Sequence, residues 1–98
     1  MQLIWRIVAE ILTESGDLQS GFTKAFVNVI TWADSPESAN KKFGDYIKRF
    51  NWHIITVEFS QPIIEGGEYS EEMEGMIEST RENPNAIILG TFFTYKEN

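Results

Sequence analysis

The sequence predicts one α+β domain, a two-layer sandwich in which a four-stranded mixed sheet packs against two helices on one face. Three observations support this prediction. The 98 residues, 42% of them hydrophobic, suffice for one core but not for two. Strand-like and helix-like apolar patterns alternate along the chain. No internal repeat or long linker interrupts them, so we expect residues 1–98 to form a single domain.

The elements predicted in chain order are strands over 3–12 and 22–33, a helix over 36–50, a strand over 52–60, a helix over 71–82 and a strand over 86–95. The first segment also fits helical spacing, but strand pairing explains its charges. A hairpin that sets Glu10 opposite Lys24 and Arg6 opposite Asn28 matches opposite or polar partners. The same register gathers one uncharged face from Leu3, Trp5, Ile7, Ala9, Ile11, Ala25, Val27 and Val29.

Both helices have recognisable starts and apolar stripes. Ser35 before Pro36 and Ser70 before two glutamates are typical N-caps, and Asn51 is a left-handed exit from the first helix. The stripes consist of Ala39, Phe43, Tyr46, Ile47 and Phe50 in the first helix, and of Met73, Met76, Ile77 and Thr80 in the second. Each stripe predicts packing on the sheet.

The order ββαβαβ allows right-handed crossovers that put both helices on one face of the sheet. Ile55, Val57 and Phe59 are predicted to lie on one side of the third strand. The last strand is apolar on both sides, which favours a position inside the sheet. In its two-layer architecture alone, this arrangement resembles the ferredoxin-like domains. Those domains host many unrelated functions.

Charge is concentrated in one stretch of the chain. Seven glutamates lie between Glu65 and Glu82 and are answered only by Arg81, whereas the remaining residues are almost neutral. One interpretation is a solvated face that lies opposite the basic residues of the first helix, Lys41, Lys42, Lys48 and Arg49. The other is docking to a basic protein through Glu68, Glu71, Glu72, Glu74 and Glu78. The acidic pI, about 4.6, argues against nucleic acid and anionic membranes as partners.

The second face of the predicted hairpin is too apolar for open water. A homodimer would cover it through Val8, Phe22, Phe26, Ile30 and Trp32. Alternatively, residues 61–69 or the C-terminal tail fold across it. A third interpretation is a pocket between sheet and helices in a small-molecule-binding or enzymatic dimer, lined by Trp5, Arg6, Lys24, Asn28 and His53.

Patterns typical of catalysis are absent from the sequence. The chain has no cysteine, His53 is its single histidine, and Gly66-Gly67 is flanked by glutamates that would repel phosphate. We therefore expect no cofactor, metal site or catalytic residue. The sequence favours a non-enzymatic, cytoplasmic interaction protein that forms homodimers and presents its acidic helix, residues 70–82, to a basic partner.

Overall fold

The computed structural model describes residues 2–14, 18 and 22–94 and has an α+β fold. Its elements are β1 (Leu3–Leu12), β2 (Lys24–Ala33), α1 (Pro36–Ile47) followed by a 3₁₀ turn (Lys48–Phe50), β3 (His53–Pro62), α2 (Glu71–Glu82), β4 (Ile87–Leu89) and β5 (Phe93–Thr94). The strands form one open sheet in the order β3-β1-β2-β4, with β5 also paired to β2.

Every pairing between the described strands is antiparallel, so the prediction of a mixed sheet was wrong. The reason is the path of the chain after β2. Helix α1 crosses the sheet past β1, so that β3 joins the free edge of β1 rather than lying parallel beside β2. The last predicted strand is divided into β4 and β5, and both lie on the outer side of β2 instead of inside the sheet.

The predicted hairpin exists, but its register differs by two residues. Arg6 lies opposite Ile30 and Glu10 opposite Phe26. A shift of two residues leaves every side chain on its predicted face, because strand side chains alternate with a period of two. Arg6 still reaches Asn28 diagonally, since its Nε donates to Oδ1 at 3.1 Å. The uncharged face is buried from Trp5 onward, and only Leu3 at its end is 44% exposed.

The two helices pack on opposite faces of the sheet, which corrects the prediction of a two-layer sandwich. Helix α1 covers the uncharged face, where Phe43 and Ile47 contact a cluster that includes Trp5 and Val29. Helix α2 covers part of the other face through a second cluster, made of Ile4, Ile30, Met73, Met76 and Ile77. The amide of Ile63 donates to the carbonyl of Ile4 at 2.8 Å and so fixes the chain where it leaves β3 on its way to α2.

Local signals in the helices are confirmed. The Ser35 hydroxyl accepts from the amide of Ser38 at 3.0 Å, and Ser70 accepts from Met73 at 3.1 Å. Asn51 has a left-handed φ of 61°. The α2 stripe is buried throughout, but Phe50 in the α1 stripe is exposed because the helix tightens into the 3₁₀ turn before reaching it.

Strand β3 has two irregularities in its pairing with β1, between Val8 and Ala9 and between Glu10 and Ile11. Val57 therefore packs against the α1 cluster, while Phe59 lies opposite Val8 on the other face. The prediction that Ile55, Val57 and Phe59 share one side was wrong, because each bulge adds a residue and changes the alternation. Within the described residues, helices fall short of the length and hydropathy that crossing a membrane requires.

Candidate functional site

The acidic residues on and just before α2 are exposed. We call Glu65, Glu68, Glu71, Glu74 and Glu78 the acidic surface; all five side chains are exposed. The Ser70 cap fixes the start of α2, whose first turn carries Glu71, Glu72 and Glu74. Glutamates are favoured there because the helix dipole is positive at its N-terminus. The acidic surface thus includes four of the five predicted partner-binding residues.

Glu72, the fifth predicted partner-binding residue, has a structural role. Its Oε1 accepts a hydrogen bond from the backbone amide of Thr91 at 2.7 Å, and both of its carboxylate oxygens lie 3.1 Å from the Thr91 hydroxyl. These bonds join the start of α2 to the chain between β4 and β5. Glu72 therefore has fewer free acceptor sites for a partner than its neighbours on the helix.

The basic residues of α1 do not face the acidic surface, contrary to one interpretation of the sequence. They lie on the other helix layer, across the sheet. Lys41 donates to Asp45 at 2.7 Å, which raises the pKa of Lys41 and lowers the pKa of Asp45. Lys42 donates to the Trp32 carbonyl at 2.9 Å, and partial burial lowers its pKa. The glutamates of α2 are therefore not neutralised by α1.

A groove runs between α2 and residues 63–69 and continues over the start of β1. It has two adjoining cavities of about 300 Å³ and 430 Å³, which share Ile63, Glu65 and Arg81. The larger cavity is also lined by Leu3, Ile4 and Trp32, and the smaller one by Tyr69, Glu74, Ile77 and Glu78. We call both cavities together the α2 groove. Apolar side chains form much of its lining, and the acidic surface forms one rim.

Arg81 is the one cation that lines the α2 groove among the described residues. Its guanidinium nitrogens lie 3.7 Å from Glu65 and 3.8 Å from Glu78, longer than direct hydrogen bonds. The Glu65 side chain is 93% exposed, so this pair contributes little to stability. The sequence identified Arg81 only as a counter-charge. Its place in a groove depends on the path of residues 63–69, which no sequence pattern predicts.

Part of the sheet face on which α2 packs lies outside the α2 cluster of described residues. Val8, Phe26 and Phe59 are half-buried there, and Phe93 is 56% exposed. We call these four residues the open patch. The Arg6 guanidinium lies 5.3 Å from the centre of the Phe59 ring, within cation–π distance. Phe59 and Phe93 were missed in the sequence, because the bulges in β3 and the division of the last strand have no local signal.

The five residues predicted to form a dimer interface are separated by α2. Ile30 is fully buried in the α2 cluster, and the Trp32 indole donates to the Thr80 carbonyl at 2.6 Å. Ile30 therefore belongs to the core within one chain, and Trp32 is half-buried against α2. Val8 and Phe26 remain in the open patch, and Phe22 lies half-buried just before β2. Whether copies of the chain associate stays a prediction.

The predicted ligand-binding residues do not line one pocket. Trp5 is buried beneath α1, and its indole donates to the Ala33 carbonyl at 2.9 Å. Arg6, Lys24 and Asn28 lie on the opposite face, so the sheet separates them from Trp5. His53 is exposed at the start of β3. In the described part of the chain, histidine and carboxylate side chains form no cluster of three that could hold a metal ion.

Comparison of this chain with protein families, curated proteins and solved structures found no match. The acidic surface, the α2 groove and the open patch are therefore the candidate binding surfaces of this chain.

Proposed function

We propose that this protein is a non-enzymatic, cytoplasmic interaction domain that recognises a basic protein through the acidic surface and self-associates through the open patch. One observation carries the proposal: the acidic surface is placed across the sheet from the basic residues of α1. The four basic and two acidic residues of 36–50 are thus separated from the seven glutamates and one arginine of 65–82. A field of one sign on one surface attracts and orients a partner of opposite charge.

Details of the acidic surface support recognition by a partner. Glu68, Glu71 and Glu74 make no salt bridge with any described residue. Glu68, Glu71 and Glu74 thus contribute charge that the fold itself does not use. Like charges on neighbouring helix turns cost a few tenths of a kcal/mol per pair. A positively charged partner would relieve this repulsion.

A charge-reversal experiment tests the partner. The Glu71→Lys/Glu74→Lys/Glu78→Lys variant should fold, because these side chains are exposed and outside both clusters. It should fail to capture, from the native host, the basic protein that the unaltered chain captures at low salt. The matched control reverses Lys41 on α1 and Lys48 and Arg49 in the 3₁₀ turn that follows it, and it should retain capture. Equal capture by the unaltered chain and the α2 variant would contradict the proposal.

Self-association has its own test. The open patch is apolar, and a second copy placed by a two-fold axis would cover both patches at once. Light scattering should give twice the chain mass of 11.3 kDa at both low and high salt. Phe93→Lys should give the monomer mass, whereas Phe50→Lys, at an exposed position on the α1 side, should leave the dimer intact. A monomer for the unaltered chain would remove the dimer from the proposal without affecting the acidic surface.

A further inference from the structure

The α2 groove combines two kinds of surface that one ligand can contact together. Its larger cavity, about 430 Å³, is lined by Leu3, Ile4, Trp32 and Ile63. That volume lies in the range of ligand pockets, roughly 300–1,000 Å³. Leu3, at the edge of this cavity, is 44% exposed. An apolar side chain of a partner would find contacts here that a purely ionic surface does not supply.

The charges of the smaller cavity favour a cation. Three carboxylates, Glu65, Glu74 and Glu78, line the smaller cavity with Arg81 between them. Since carboxylates outnumber the guanidinium, a negatively charged ligand would be repelled. The long Glu65–Arg81 and Glu78–Arg81 distances leave carboxylate oxygens free to accept hydrogen bonds from a second cation.

We propose that the α2 groove binds a peptide segment in which a large apolar residue stands next to a lysine or arginine. The apolar side chain enters the larger cavity and contacts Leu3, Trp32 and Ile63. The neighbouring cation then lies in the smaller cavity, where it reaches Glu65 and Glu78. This inference rests on the proposed function, because it specifies which segment of the basic partner is recognised. It adds that charge alone is not sufficient for binding.

Binding can be measured on the full chain with synthetic peptides. The probe is a fluorescein-labelled heptapeptide, Gly-Ser-Trp-Lys-Lys-Ser-Gly, and its control has serine in place of tryptophan, so that the charge is equal. Fluorescence anisotropy should show about tenfold weaker binding of the serine peptide, as expected when one buried aromatic anchor is removed. Equal affinity of the two peptides would overturn the proposal.

Two pairs of protein variants locate the binding site. Glu65→Lys should weaken the tryptophan peptide about tenfold, whereas Glu82→Lys, with the same charge change outside the groove, should weaken it by at most about threefold. Leu3→Ser should weaken binding without any charge change. Leu12→Ser, at the other end of β1 and 38% exposed, should not. Circular dichroism checks that each variant folds. If the two variants of either pair weakened peptide binding equally, the groove would not be the binding site.

A nuclear magnetic resonance measurement reports the site without any substitution. The indole N–H signal of Trp32, which lines the groove, should shift on peptide addition. The signal of Trp5, buried beneath α1, should not. Tryptamine alone should bind much more weakly than the peptide; equal affinity would mean that a free amine, not a peptide, is the ligand.

The two proposals fail in different ways. If the serine peptide binds as well as the tryptophan peptide, the groove proposal is wrong, but the acidic surface remains the docking surface. If the peptides behave as expected while the triple reversal on α2 leaves partner capture unchanged, the groove binds peptides but the proposed function is wrong.

Discussion

Helix α1 buries Ala39, Phe43 and Ile47 completely on one face of the sheet, whereas helix α2 buries Met73, Met76 and Ile77 to 5–7% exposure on the other. The α1 cluster extends along β1 and β2, whereas the α2 cluster contains Ile4 and Ile30 and does not include the open patch. The charges differ as well. Asp45 is paired with lysine on α1, while most glutamates of α2 make no salt bridge with a described residue.

This difference assigns separate roles to the two layers. The α1 layer supplies most of the core, so we expect it to determine whether the chain folds. The α2 layer is smaller and is joined to the sheet by Trp32 and Glu72, yet it carries the acidic surface and the groove. Surfaces that bind partners are commonly drawn from the less stable parts of a fold.

The largest expected effect compares one core residue from each layer. Phe43→Ala should lower the free energy of unfolding by about 4 kcal/mol, because it empties a fully buried site beneath α1. Met76→Ala should lower it by roughly 2 kcal/mol, because the smaller α2 cluster at the molecular surface can collapse onto the space. Urea denaturation measures both values. A greater loss for Met76→Ala would reverse the roles given to the two layers.

A smaller effect separates two neighbouring glutamates of α2. Glu72→Ala should cost about 1 kcal/mol, since it removes the acceptor for the Thr91 amide. Glu71→Ala removes the same charge from the same helix turn and should change stability by less than about 0.5 kcal/mol. Thermal unfolding at one pH compares them directly. Identical changes would mean that Glu72 contributes only charge, like the rest of the helix.

The smallest effect concerns the exposed ion pair of α1. Lys41 lowers the pKa of Asp45 in the folded chain. The resulting stability is therefore present above the unfolded pKa of Asp45, about 3.9, and is lost as the pH falls through the folded value. Asp45→Asn should lower the unfolding temperature slightly at pH 7 and not at pH 2. If the difference in unfolding temperature between the unaltered chain and Asp45→Asn grew toward low pH, the expected pH dependence of this ion pair would be wrong.

Much of the fold could be predicted from local sequence. The serine caps, the left-handed Asn51 and the buried stripe of α2 follow from short-range chemistry. The predicted faces of the hairpin are also correct although the register was wrong, because the register error was an even number of residues. The side on which α2 packs could not be predicted. Both faces of the hairpin are apolar. The apolar periodicity of a helix shows which of its sides is buried, but not which face of the sheet that side packs against.

The candidate site divides in the same way. Exposure of Glu71, Glu74 and Glu78 follows from their positions away from the α2 stripe. The groove around Arg81 could not be predicted, because it forms where residues distant in sequence, Leu3 and Trp32, meet the chain after β3. The engagement of Glu72 by Thr91 is a contact of the same long-range kind.

Native-state hydrogen exchange tests the division between the two layers most directly, because it measures the opening free energy of each helix in one unaltered molecule. The slowest amides of α1, around Phe43, should exchange only through global unfolding. The slowest amides of α2, around Met76, should exchange through a smaller opening with a clearly lower free energy. If both helices exchange with the same free energy and the same dependence on denaturant, the two layers are one cooperative unit and the division of roles is wrong.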